Sequence, residues 1–183
     1  MSELNIILGP MYSGKSTELL RIYNKYKEKY RILVINHISD NRYGKNKIYT
    51  HNKDSINCLS LLNLSEFYNY IESTQSEFDI ILIDEAQFFN DLYDFCKSFT
   101  DIPDKIIYIF GLSSDYKREK FGQVIDLIPF ADDIKHLKGI CKKCKYNKEA
   151  PFTLRLNSKT EQVLVGCENE YISVCRDCWL KNK

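Results

Sequence analysis

The stretch that most narrows what this chain can fold into is Gly9–Thr17, GPMYSGKST. It fits G-x-x-x-x-G-K-[ST] without a mismatch, through Gly9, Gly14, Lys15 and Ser16. A short apolar run of strand type, Leu4–Leu8 (LNIIL), precedes it. A stretch of helix formers free of Gly and Pro, Glu18–Tyr30, follows it. Strand, glycine loop and helix in that order form the setting in which the pattern cradles phosphate. Glycines let the backbone curl and turn its N–H groups inward, and the helix N-terminus adds partial positive charge. Gly9, Pro10, Met11, Tyr12, Ser13, Gly14, Lys15, Ser16 and Thr17 are therefore candidate triphosphate-binding residues. Lys15 would reach the outer phosphates and Ser16 would ligate Mg²⁺. The alternative is a tight strand-to-helix turn that binds nothing.

Further buried strands are predicted at Ile32–Ile35, Ile80–Ile83 and Ile106–Phe110, with a shorter one at Ile56–Leu61. Helices are predicted to Tyr30, over Leu64–Thr74 with Ser65 as N-cap, and over Asn90–Phe99. Strands alternating with helices imply an α/β fold, a parallel sheet with helices on both faces. Asn36–Asp54 is polar and aperiodic and reads as a long loop. The character changes after Leu137. Residues 1–137 are expected to form the nucleotide-binding part, and residues 138–183 a small β-rich metal lobe with short alternating stretches such as Gln162–Val165.

Ile80–Ile83 delivers Asp84 and Glu85 to the carboxyl edge of the sheet, where open α/β folds bind ligands. Downstream of a phosphate loop, an acid ending such a strand holds Mg²⁺ directly or through water, which assigns Asp84. Glu85 is then available to take a proton from an attacking hydroxyl. An acidic turn that merely caps the next helix is the competing reading.

Cys141/Cys144 and Cys175/Cys178 form two C-x-x-C knuckles separated by Lys145–Val174. Two knuckles supply four thiolates to one tetrahedral ion, a closed shell that implies structural zinc. A redox pair would come singly, at a helix start after a strand. The odd total of seven Cys also fits full disulfide pairing poorly. Cys58, Cys96 and Cys167 read as small buried hydrophobes. Zinc would pin both ends of Lys145–Val174. That loop, with Phe152, Thr153, Gly166 and Tyr171, suits the gripping of a flat polar ring, and suits equally a surface flap with no ligand.

Charge excludes some partners. With a net charge of +1, nothing suggests a nucleic acid polymer or an anionic membrane surface. No apolar run approaches membrane-spanning length, and no export signal stands at the N-terminus, so a cytoplasmic location is expected.

Taken together, GPMYSGKST, DNRY at Asp40–Tyr43, TH at Thr50–His51, DEAQFF at Asp84–Phe89, KREKFG at Lys117–Gly122, FTLR at Phe152–Arg155 and the two knuckles resemble the type II, zinc-containing, cytosolic thymidine kinase family. The resemblance covers nearly the whole chain. It implies a P-loop NTPase-like sheet with a zinc lobe carrying a lasso loop. It also implies transfer of the γ-phosphate of ATP to the 5′-hydroxyl of thymidine, with deoxyuridine a second acceptor to test. Carried over by position, Glu85 is the general base, and Asp40 and Arg42 lie near the metal and the transferring phosphate. Met11, Phe88, Leu112, Tyr116 and Phe121 wall the nucleoside. Thr153, Leu164, Gly166 and Tyr171 belong to the lasso that holds the base. Homotetramers are usual in the family. Ser113, Ser114 and Lys120 depart from the common pattern beside Tyr116. The rival reading from the residues alone is a P-loop ATPase or switch with a zinc-ribbon interaction module.

Overall fold

In a strand, successive side chains point to opposite faces, so a strand apolar throughout must be covered on both sides. Four strands here are buried on both faces over most of their length, and they form the middle of the sheet. The computed structural model describes residues 2–40, 46–49, 54–144, 147–163 and 170–182. Strand β1 (Glu3–Leu8) enters the glycine loop, and helix α1 (Lys15–Tyr26) leaves it. Strand β2 (Ile32–His37) is followed by a hairpin of β3 (Lys47–Tyr49) and β4 (Ser55–Asn57), then by β5 (Leu59–Leu61) and helix α2 (Glu66–Thr74). Next come β6 (Ile80–Ile83), a 3₁₀ turn at Ala86–Phe88, helix α3 (Leu92–Thr100) and β7 (Ile106–Gly111). A 3₁₀ segment at Val124–Phe130 leads to β8 (Asp133–His136). The remainder holds β9 (Gly139–Ile140), β10 (Glu149–Ala150), β11 (Phe152–Arg155), β12 (Tyr171–Val174) and helix α4 (Arg176–Leu180).

The six-stranded sheet runs β5-β2-β6-β7-β1-β8 with every pairing parallel. Ile6, Ile35, Ile81, Ile83, Ile107 and Ile109 face one side, under Phe67 of α2 and Leu92, Phe95 and Phe99 of α3. Ile7, Val34, Leu82 and Phe110 face the other, under Leu19 and Ile22 of α1 and Ile48 and Ile56 of the hairpin. Each such side chain contributes about 1.5–3 kcal/mol by leaving water. Phe67 sits edge-on to Phe95 and Phe99, with centroids 5.4 and 5.9 Å away. Truncating it to Ala would cost roughly 3–5 kcal/mol. No helix among the described residues is long and apolar enough to cross a membrane.

Several boundaries differ from the sequence expectation. Helix α1 stops at Tyr26 rather than Tyr30, because the Tyr26 carbonyl accepts from the amides of both Lys29 and Tyr30 and the chain tightens into a turn. The strand expected over Ile56–Leu61 is two strands, broken where the Cys58 amide turns away to the Asn46 carbonyl. The loop expected over Asn36–Asp54 contains β3. Helix α2 begins at Glu66, and no Ser65 side-chain bond caps it. Instead the Asp91 carboxylate accepts from the amides of Leu64 and Ser65, and Glu66 from those of Leu62 and Asn63.

The small lobe has its own core of Ala150, Leu154, Val174 and Trp179 around the cysteines. Of the stretch Gln162–Val165 expected to alternate, Gln162 and Val163 are irregular.

Candidate active site

Parallel strands end at one edge, and β1, β2, β6 and β7 bring their following loops together there. A single cleft at this edge is lined by Met11–Thr17, Asp40, Asp84, Glu85, Gln87, Phe88, Leu112, Tyr116, Phe121, Thr153 and Tyr171. The sequence had named all of these except Gln87. Arg42, Leu164 and Gly166, also named there, lie outside the described residues, as do Tyr43, Gly44, Thr50, His51 and Cys167.

The loop is built by close approaches. A Cβ on Gly9 would stand 2.4 Å from Ser13 Oγ and 2.9 Å from the Leu137 carbonyl, so only glycine fits. Gly14, at φ +87°, turns the chain into α1. Tyr12 holds a left-handed backbone at φ 62°, and Glu85 another at φ 49°, the kind of strain that clusters at functional sites. Lys15, only 9% exposed, donates to the carbonyls of Gly9 and Pro10 at 3.2 and 2.9 Å. Ser13 Oγ is buried and has no hydrogen-bond partner among the described residues. A buried orphan hydroxyl inside a phosphate-type loop matches the needs of an anionic ligand.

Asp84 is 2% exposed and accepts from the Glu85 amide at 3.0 Å. Burial pushes its carboxyl up to about 7, with the Glu85 and Asp40 charges adding to the shift and the Glu85 amide and Lys15 opposing it. Asp40 accepts from Asn36 Nδ2 at 3.2 Å. Oxygen donors of this type suit Mg²⁺. No Glu85 side-chain bond caps the 3₁₀ turn that follows it.

The far wall is aromatic. Phe88 and Phe121 meet edge-to-face at 5.5 Å, and His37 lies 5.5 Å behind Phe88. Burial lowers the pKa of His37, which leaves its ring neutral at physiological pH. Leu112, Ser114, Asp115 and Tyr116 continue the wall. Asp115, buried, accepts from the amides of Lys117 and Glu119 at 2.8 and 2.9 Å and from Gln162 Nε2 at 3.0 Å.

The small lobe closes the cleft. The Sγ atoms of Cys141, Cys144, Cys175 and Cys178 all lie within 4.8 Å of one another. Burial pushes the Cys141 thiol up, but main-chain N–H groups of Cys175, Lys143 and Cys144 outweigh it and bring the thiol to about 6. Cys144, facing the other three, is pushed up to about 12. Four sulfur donors this close can hold one metal ion, and an all-cysteine set suits zinc.

Several contacts among the described residues join this lobe to the cleft. Met11 N donates to Thr153 Oγ1 at 3.1 Å. Trp179 Nε1 donates to the Tyr116 carbonyl at 3.0 Å, and the Arg118 guanidinium lies 3.8 Å over its ring. Arg155, 7% exposed, stacks 3.7 Å over the Tyr116 ring. It also donates to the carbonyls of Lys159, Glu161 and Gln162 at 2.9, 2.6 and 3.3 Å and to the Tyr171 hydroxyl. Asp115, Arg155, Gln87 and Gln162 received no role from sequence. Arg155 and Gln87 stand inside quoted motifs, but pattern alone does not say what a polar side chain bonds.

Residues 2–179 match the family model described as thymidine kinase. The chain is 40% identical to the thymidine kinase of Oryza sativa subsp. japonica over 181 residues, covering 97% of this chain and 66% of that protein. It is 39% identical to thymidine kinase a of Arabidopsis thaliana, covering 98% of this chain and 75% of that one. Against the thymidine kinase of Sheeppox virus strain KS-1 it is 37% identical, covering 96% of both.

Proposed function

The chain belongs to the thymidine kinase family, and on that premise we propose that it transfers the γ-phosphate of ATP to the 5′-hydroxyl of thymidine, giving dTMP and ADP. One observation carries the reading: the Gly9–Thr17 loop and Glu85 line the same cleft, with an aromatic wall beside them. The triphosphate lies along the loop amides and the N-terminus of α1, with Lys15 at its outer phosphates. Ser16, Asp40 and Asp84 hold Mg²⁺, which supplies charge neutralisation for the phosphates. The thymine ring lies among Met11, Phe88, Leu112, Tyr116 and Phe121, covered by Thr153 and Tyr171, and the family resemblance adds Leu164 and Gly166 to the residues that bind it.

Glu85 accepts the 5′-hydroxyl proton as that oxygen attacks the γ-phosphorus. The bond from the γ-phosphorus to the β–γ bridging oxygen breaks, and the electron pair leaves with ADP. Arg42 supplies positive charge at the transferring phosphoryl group. The four cysteines hold structural zinc. Residues 1–137 carry nucleotide and base, and residues 138–183 carry the cover. A cytoplasmic homotetramer completes the proposal, following the family resemblance.

The test mixes the protein with Mg-ATP and single nucleosides and separates the products. Thymidine should yield dTMP and ADP in equal amounts, with deoxyuridine as the comparison. Glu85→Gln should lower kcat by about two orders of magnitude while ATP still binds. ATP consumption that ignores nucleosides and answers only to a polynucleotide would overturn the reading.

A further inference from the structure

Gln87 is 3% exposed, and both ends of its carboxamide are bonded. Its Oε1 accepts from the Leu112 amide at 3.0 Å, and its Nε2 donates to Glu85 Oε2 at 2.5 Å. The amide orientation follows from chemistry. A main-chain N–H only donates, so the atom facing Leu112 must be oxygen, and the nitrogen must then face the carboxylate.

The residue is also fenced in. Gly122 sits at φ +63°, and a Cβ there would stand 2.2 Å from the Gln87 carbonyl oxygen. A Cβ on Gly111 would stand 3.3 Å from Gln87 Oε1 and 2.9 Å from Val124. One bare glycine backbone thus presses on the Gln87 main chain and another on its buried side chain, which is bonded at both ends. Glu85 itself takes a left-handed backbone, φ 49°, between β6 and the 3₁₀ turn.

We propose that Gln87 is a positioning residue for phosphoryl transfer: it ties the Glu85 carboxylate to the main chain of the nucleoside wall, so that base and bound alcohol keep one register. The proposal rests on the reading of Glu85 as the base. Transfer needs the accepting oxygen within hydrogen-bond reach of the 5′-hydroxyl, and displacements near 1 Å lower rates steeply. Gln87 fixes that placement from Leu112, the backbone position whose side chain touches the same cleft.

Two variants separate the two ends of the amide. Gln87→Glu keeps an oxygen for the Leu112 amide but loses the donor to Glu85, whereas Gln87→Met loses both bonds. At pH 8, both should lower kcat with thymidine by roughly ten- to a hundredfold while the ATP KM stays within about twofold. In a Glu85→Gln background, Gln87→Met should add less than about threefold, because its effect passes through Glu85. A Gln87→Glu protein with parental kcat overturns the proposal. So does an equal Gln87→Met loss in both backgrounds, which marks a structural role and leaves the base reading intact. If Glu85→Gln itself keeps parental kcat, the base reading falls and this proposal with it. Should Gln87→Met fail to fold, Gln87→Glu decides alone.

Discussion

Replacing Arg155 with Met removes the guanidinium and keeps much of its apolar stem. The loss is large on paper. Three main-chain carbonyls between Lys159 and Gln162 and the Tyr171 hydroxyl lose their donor, and the Tyr116 ring loses a cation 3.7 Å from its centre. Bonds to a charged group contribute about 1.5–3 kcal/mol each when nothing replaces them. Lys159 and Glu161 are exposed, so water takes over part of their share. A net cost of about 3 kcal/mol is reasonable, at the lower edge of what breaking a buried charged network costs. That cost should appear locally. Arg155 ends β11, and its partners are the turn after it and the Tyr116 loop, not the parallel sheet. The cover opens while the sheet stays folded. Three kcal/mol spent on holding the cover corresponds to roughly a hundredfold rise in the thymidine KM. The ATP KM should change less than about threefold, because the phosphate loop joins this lobe through Thr153. Arg155→Lys should not rescue, since an ammonium lacks the planar fork that spans three carbonyls and a ring. Initial rates with each substrate varied, alongside a thermal melt, provide the measurement. A folded Arg155→Met protein with a thymidine KM within twofold of the parent would refute the argument.

Other expectations follow from single features. Stripping the metal with a chelator, or replacing Cys144 with Ser, should release Trp179, the only tryptophan in the chain, so that its emission moves to longer wavelength and the thymidine KM rises. Metal loss verified by elemental analysis with an unchanged spectrum would contradict the coupling. Gly122→Ala forces a Cβ against the Gln87 carbonyl at a positive φ and should destabilise by about 2–3 kcal/mol, read as a lower urea midpoint, with kcat falling as well. Glu18 is bonded to Arg21 and Lys135 at 2.8 Å, and chiefly the Arg21 bonds bring its carboxyl down to about 2. A lowered folded-state pKa stabilises above the unfolded value near 4.5, and that stability is lost as pH falls from there toward 2. Melts at pH 6 and pH 3 should therefore differ less for Glu18→Gln than for the parent, by on the order of 1 kcal/mol after solvent screening.

What sequence could and could not reveal divides along physical lines. Buried parallel strands are legible because they are apolar on both faces, as Ile80–Ile83 is. Strand β8 was not, because it is an exposed edge reading Asp-Ile-Lys-His, held by backbone pairing to β1 rather than by burial. Charged edges of that kind resist pairing with other chains and give no hydrophobic period to detect. The phosphate loop, the Asp84–Glu85 pair and the four cysteines were legible because their chemistry needs fixed residue types at short spacing. The bonds of Gln87, Arg155 and Asp115 were not, because each joins segments far apart in the chain: Gln87 to Leu112, Asp115 to Gln162, Arg155 to Tyr116. Asp91, which serves α2 from the next helix, was hidden for the same reason.

The bond from the Met11 amide to Thr153 has a consequence for how two molecules come and go. One atom of that pair belongs to the segment proposed to lie under the triphosphate, the other to the segment proposed to cover the ring. Whichever guest arrives first stills both atoms, so the second meets a host already part-way settled. Each arrival should then favour the other, and loosening this bond should weaken that coupling.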